Sequence, residues 1–368
     1  MTMRAPSAAL LVILVSLLLS GCASVSYYGQ AISGHVEVML AARSIDDWLG
    51  DPQALLGPAG ERVRIKLERA QWLREFASAT LQLPDNASYT SYADLKRRFV
   101  VWNIVAAPEF ELRPKEFCFV VVGCLAYRGF YALADATAAA SALKAAGYDV
   151  TLGGVRAYST LGWFDDPLLN TMLEPAPPYL AQVMFHELAH QVLYIADDSR
   201  FNEAFATAVQ QLGVARWLRD HGDARAHALM RQRQAEHVQF IRLLVEHRGN
   251  LQALYRSKLA DSYKRQRKAE LLDALRFAYQ QLAADWDNPN AYATFFAAGL
   301  NNARLASVAT YFELVPAFVE LARQLNYGMP EFYAAAGALA VLSRAQRETR
   351  LAELTQASTR RINTGAGR

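Results

Sequence analysis

Only three cysteines and seven histidines occur in the 368 residues, and 38 lysines and arginines are nearly balanced by 35 aspartates and glutamates. A formal charge of +3 leaves little excess for gripping a polyanion, which argues against nucleic acid as a partner. Two or three cysteines are poor grounds for a cysteine-based metal centre. Past the first twenty or so residues no stretch reads as membrane-spanning, so the body of the chain is expected to be a soluble domain with ample core.

With so few histidines, their placement stands out. His186-Glu187-Leu188-Ala189-His190 lies in a run from Pro178 to Tyr194 that is rich in good helix formers and free of interior glycine and proline. On a helix, positions four apart share a face, so the imidazoles of His186 and His190 can converge on one ion with Glu187 beside it. Two neutral nitrogen ligands and an adjacent carboxylate able to take a proton from water are what a hydrolytic zinc site requires. The plainer reading is a pair of core histidines. Against it, two histidines and a glutamate among Val183, Met184, Phe185, Leu188, Val192 and Leu193 would bury polar groups with nothing to satisfy them.

A catalytic zinc needs a third protein ligand and one open position. Glu203 is the candidate, because Asp197-Asp198-Ser199 offers N-cap residues for a second helix over Phe201 to Leu218 and the short connection allows that helix to fold back on the first. One Zn²⁺ held by His186, His190 and Glu203 is therefore expected.

His-Glu-x-x-His with a downstream glutamate on the next helix resembles the gluzincin metallopeptidases. Cys118-Phe119, Gly123-Cys124, Tyr127-Arg128-Gly129-Phe130, Phe201-Asn202-Glu203-Ala204-Phe205-Ala206-Thr207 and Asn301-Asn302-Ala303-Arg304-Leu305 further resemble the zinc-dependent aminopeptidase family of bacterial lipoproteins, over nearly the whole mature chain. The resemblance implies an α+β fold, predominantly helical, with a zincin-like core, a small sheet beside the His-Glu-x-x-His helix and a large helical C-terminal part. It implies Glu187 as general base and a peptide as substrate. It also implies a substrate-binding edge strand at about 155–160, where Arg156 and Tyr158, with Trp163 beyond, line the cleft or merely pack the strand, and a downstream oxyanion donor, for which Tyr311 is a candidate as well as a core residue. The chain departs from thermolysin-like enzymes in a shorter gap between His190 and Glu203. It departs again at Thr207, where those enzymes place an aspartate that orients a metal-binding histidine, so the support of His186 is left unassigned.

Arg4, the apolar run Ala8–Leu19 and Leu19-Ser20-Gly21-Cys22 form a targeting segment that resembles a bacterial lipobox. This implies a signal peptide over 1–21, lipidation of Cys22, and a domain over 22–355 anchored by acyl chains to the cell envelope. By resemblance to other lipoproteins, the absence of aspartate after Cys22 favours the outer membrane, facing the periplasm. Removing residues 1–21 takes away only Arg4, leaving 37 basic against 35 acidic residues, a charge of +2. Cys118 and Cys124 then remain as an even pair in an oxidising compartment, where they form a disulfide if a turn at Gly123 brings them together, or stay as buried thiols.

Along the chain, residues 24–50 and 59–83 read as amphipathic helices, the second turning Arg62, Lys66, Arg69 and Arg74 away from its apolar face. The region 98–160 is sheet-forming: Phe99–Val105 and Phe117–Val122 read as strands, a helix follows at about 133–146, and Tyr148–Leu152 and Val155–Ser159 read as a hairpin turned by Gly153-Gly154. The zinc helices occupy about 178–218. Residues 223–285 form two antiparallel helices broken near Gly249-Asn250, with the basic stretch 256–268 on a solvated face or, as the alternative, against anionic lipid or cell-wall polymer, and residues 356–368 form a disordered tail.

The expected function is zinc-dependent peptide-bond hydrolysis, with aminopeptidase action following from the resemblance and endopeptidase action an alternative. The rival is a non-catalytic envelope scaffold with a structural or vestigial metal site. Glu187 argues against it, since a structural site has no use for an unligated base.

Overall fold

A computed structural model describes residues 26–119, 123–173, 177–222 and 224–363. The targeting segment and Cys22 lie outside the described residues. The fold is α+β and predominantly helical.

Helix α1 (26–40) is followed by β1 (Ala42–Ser44), α2 (Ile45–Gly50) and α3 (Gly57–Ala79). The expected single helix over 24–50 is interrupted because β1 pairs antiparallel with β2 (Ser91–Ala93) and Ser44 caps α2, accepting from the Asp47 N–H at 3.3 Å. Arg74 does not point to solvent. It is buried and donates to the carbonyls of Pro84, Asn86 and Ser88 at 2.7–2.9 Å, holding the loop that follows α3.

The sheet region contains β3 (Val101–Pro108), β4 (Phe117–Phe119), β5 (Gly123–Leu125), β6 (Arg128–Phe130), α4 (Leu133–Ala145) and β7 (Tyr148–Val155). β3 is the centre of an antiparallel sheet in the order β6-β3-β7, with α4 packed on it around Ile104, Ala106, Phe130, Ala136, Ala140 and Val150. Gly153 and Gly154 do not make the expected turn. They lie within β7, paired with Asn103 and Trp102, and a Cβ on Gly154 would fall 2.3 Å from the Phe99 ring. Close approach of an aromatic ring, rather than chain reversal, is what glycine serves here. The strand ends at Val155, so 156–159 is not a strand. β4 and β5 form a separate hairpin in which Cys118 faces Cys124, and the two are disulfide-bonded. β8 (Leu168–Leu169) joins β2 in parallel.

The rest is helical: α5 (Pro177–Val192), α6 (Ser199–His221), α7 (Ala224–Arg256), α8 (Asp261–Ala283), α9 (Ala293–Ala297), α10 (Asn302–Phe312), α11 (Val315–Gln324), α12 (Met329–Ala340) and α13 (Arg344–Asn363). α7 runs through Gly249 and breaks at 257–260. One glycine costs a helix only about 1 kcal/mol, and Gly249 faces open space. The tail expected to be disordered from 356 is helical as far as Asn363, because Leu351, Leu354 and Ser358 are buried in succession along α13.

The main core joins α3, α5, α6, α11, α12 and α13, and a second cluster joins α7, α8 and α9. Asn302 ties the helical part to the sheet. Its fully buried side chain donates to the carbonyls of Pro108 and Glu109 and accepts from the Tyr255 hydroxyl, while its own N–H donates to Asp149 at 2.8 Å. Lys268 completes the junction, pairing with Asp149 at 2.6 Å. The basic stretch is thus partly spent on holding the sheet. Asn302→Ala strands three partners in the interior and should lower stability by roughly 2–4 kcal/mol in urea unfolding. An unchanged midpoint would refute this role.

Candidate active site

The site is built on the α5–α6 hairpin. α5 buries Met184, Phe185, Leu188 and Ala189 against Phe201, Ala204, Phe205 and Ala208 of α6. Gly213 lets the two helices come close, since a Cβ there would lie 2.8 Å from the Phe185 ring. The connecting turn is braced from three sides. The Asp198 carboxylate caps α6, accepting from Phe201 N–H at 3.1 Å, and pairs with the buried Arg347 of α13 at 2.8 Å. Asn202 clamps Ile195, accepting from its N–H at 2.8 Å and donating to its carbonyl at 2.7 Å. Asp197, at φ 64°, accepts from the Cys124 N–H at 2.6 Å and so docks the disulfide hairpin on the same turn. Gly123 is needed there, both for its φ of +75° and because a Cβ would meet Asp197 at 2.6 Å.

This frame brings together the three residues singled out as ligands. His186 Nε2 lies 3.2 Å and His190 Nε2 3.7 Å from the same Glu203 oxygen, and the three ligand atoms all fall within 4.8 Å of one another. Bonds of about 2.0–2.1 Å to a tetrahedral ion would place ligand atoms roughly 3.3–3.5 Å apart, so the observed spacing suits one small cation. Two imidazoles and a carboxylate are also the chemistry such an ion prefers. Burial alone would raise Glu203, but its hydrogen bonds to both histidines prevail and hold it down at about 2. Burial would lower His186, yet the Glu203 hydrogen bond and the charges of Glu187 and Glu203 raise it. Burial raises Glu187, with the neighbouring histidines opposing. Among the described residues neither histidine's buried Nδ1 has a partner at full hydrogen-bonding distance; Gln210, rather than buried Thr207, is the side chain that bears on His186, and it raises that imidazole's proton affinity.

A cavity of about 490 Å³ opens onto His186, Glu187, His190 and Glu203. The sheet forms its opposite wall through Val101, Asn103, Gly129 and Val155, and the remainder is largely aromatic, including Tyr127, Tyr131, Tyr158 and Tyr194. Among the described residues, Glu187 and Glu203 are the only carboxylates lining it. Residues 157–161 do border the cavity, held not by strand pairing but by buried Asp166, which accepts from the Thr160 N–H at 2.8 Å. Tyr158 lines the cavity, its hydroxyl 2.9 Å from His35 Nδ1. Arg156 turns away, donating to the Thr171 carbonyl and lying over Phe99, and Trp163 is 73% exposed and off the cavity. The backbone of Tyr311 is in α10, and its side chain lies outside the described residues.

Tyr127 was given no role above. It follows the disulfide hairpin and faces the cavity, and its hydroxyl is raised by burial and then by the charges of Glu203 and Glu187. No spacing rule links it to a helix sixty residues later; only the docking of the hairpin on Asp197 brings it here.

Arg347 is the most buried cation of the frame. Arg347→Met should leave Asp198 unpaired and cost roughly 3–5 kcal/mol in denaturant unfolding, and adding Asp198→Asn, which keeps the cap, should recover part of that loss. Equal stability of the two single variants and wild type would show that the turn does not depend on this pair.

No curated protein and no solved structure matches the chain. One family does, under the description "Putative aminopeptidase", over residues 26–351, which takes in the sheet, both helices of the hairpin and all but the end of the helical part. The chain therefore belongs to this aminopeptidase family.

Proposed function

We propose that the protein is a zinc-dependent aminopeptidase of the cell envelope, with His186, His190 and Glu203 holding one zinc ion. The observation that carries this reading is the convergence of two Nε2 atoms on one Glu203 oxygen in a cavity that also receives a second, unligated carboxylate, Glu187. Zinc bound there supplies Lewis acidity, bringing the pKa of water near neutrality and polarising the scissile carbonyl.

The remaining work falls to the chain. Glu187, whose affinity for a proton is raised by burial, takes one from the attacking water and hands it to the departing amine. The aromatic walls keep bulk water from the reacting groups and strengthen each charge interaction inside. β7 is an edge strand that reaches the cavity at Val155, whose carbonyl is taken by the Val100 N–H, and an extended peptide would pair along the strand's open side there. Asn103, whose side-chain amide lies in the sheet wall and makes no hydrogen bond to the described residues, would accept from the substrate's ammonium.

The lipobox-like segment ending at Cys22 would anchor the protein at the outer membrane facing the periplasm. Among the described residues no helix is long and apolar enough to cross a membrane. The Cys118–Cys124 bond suits an oxidising compartment.

The test uses metal analysis and peptide hydrolysis together. Glu187→Gln should keep stoichiometric zinc and lose about 10²–10⁴-fold in kcat, whereas His190→Ala should lose both metal and activity. A zinc-loaded Glu187→Gln protein with wild-type turnover would overturn the mechanism. Mass spectrometry of a peptide-library digest should show single residues removed from free amino termini and none from N-acetylated peptides. Internal cuts would instead make the enzyme an endopeptidase.

A further inference from the structure

A second, strongly basic cavity lies away from the zinc ligands, between the loop 110–114, the start of α6, the C-terminal half of α7 and the α10–α11 junction. It has a volume of about 470 Å³, and Arg113, Arg200, Arg248 and Arg256 all contribute to its wall. Glu111 and Glu313 are the only acidic residues lining it among the described residues, so two positive charges are left over. Glu313 is shared, 3.0 Å from Arg200 and 3.9 Å from Arg248. Glu109, the next carboxylate along the loop, is taken up by Arg265 at 2.7 Å and does not offset the surplus.

Like charges are not brought together without cost. Arg248 is largely withdrawn from solvent, and burial lowers its pKa against the opposing charge of Glu313, with Arg200 adding to the lowering. The Nε atoms of Arg200 and Arg248 are buried and without an acceptor. Arg113 and Arg256 are exposed and make no ion pair with the described residues, so their guanidinium groups are available at the cavity mouth.

We propose that this cavity binds a phosphate group. A phosphate monoester carries about −1.5 to −2 charges near neutral pH, which matches the surplus, and its oxygens accept from several directions at once. A single carboxylate would leave about half the surplus unmatched. Guanidinium forks are suited to bidentate contacts with phosphate oxygens. Arg200 and Arg248 would form the inner contacts and Arg113 and Arg256 the outer ones. The phosphate is either free or borne as a monoester by a lipid headgroup, since the recognising chemistry is the same.

The test is isothermal titration of the purified protein at constant ionic strength, with inorganic phosphate in one arm and glycerol 3-phosphate, the soluble monoester headgroup of phosphatidic acid, in the other. Arg113→Gln/Arg256→Gln removes two guanidinium groups without touching the Arg200–Glu313 pair, and unchanged circular dichroism and thermal unfolding would verify its fold. Wild type should bind at least one of the two probes, and the double variant should bind it roughly tenfold or more weakly. Tighter binding of inorganic phosphate assigns the site to free phosphate; tighter binding of glycerol 3-phosphate assigns it to lipid. If neither probe binds at ~10 mM, or if the double variant binds as well as wild type, the proposal fails. Peptide hydrolysis is not part of the readout, so this outcome is independent of the function proposed above.

Discussion

A helix guarantees that His186 and His190 face the same way, but nothing local brings Glu203 to meet them. That depends on the turn at 193–198, which is braced by Asn202, Asp198 with Arg347, and Asp197. Asn202 satisfies both backbone groups of Ile195, Asp198 both caps α6 and receives Arg347 from the far end of the chain, and Asp197 receives the disulfide hairpin. Asn202, Asp198 and Arg347 are wholly or partly withdrawn from water, so their bonds are costly to lose, whereas Asp197 makes its bond at the exposed side of the turn. The turn is therefore the point at which the N-terminal sheet region, the α5–α6 hairpin and α13 are joined.

The helix hairpin could be read in the sequence because its information is local: an i,i+4 pair, a capping aspartate and an apolar stripe are all matters of a few residues. What could not be read depends on distant partners. Gly153-Gly154 has the composition of a turn, and only the ring of Phe99 laid over the strand shows why small residues stand there. The segment after Thr355 is polar enough to suggest disorder, yet Ser358 is buried and Arg361 reaches Glu320 on α11 at 3.4 Å. Arg74 falls on the polar side of its helix but is buried to satisfy carbonyl groups of the loop that follows, and Asn302 is buried to satisfy those of Pro108 and Glu109, far earlier in the chain. Irregular backbone needs such donors, and sequence pattern does not reveal which side chain will supply them.

The same distinction applies within the site. His186, Glu187, His190 and Glu203 follow from spacing, whereas the aromatic wall is assembled from α1, the disulfide hairpin, β6, and the segment after β7. Arg156 and Tyr158 illustrate the difficulty. They are two positions apart and would face the same side of a strand, but the chain leaves strand conformation at Val155, so one turns to Thr171 and the other into the cavity.

Glu187 and Glu203 lie in one poorly solvated space and would repel each other if both were ionised without a cation. Their surroundings separate them. Glu203 receives both imidazoles and is held ionised, while Glu187 has burial as its leading influence and is shifted towards its neutral form. A carboxylate held ionised between two imidazoles suits a metal ligand, and one with raised proton affinity suits the group that accepts and returns a proton. The roles proposed for the two glutamates thus follow from what each one touches, with Glu203 placed by the turn and Glu187 by its position next to His186 on α5.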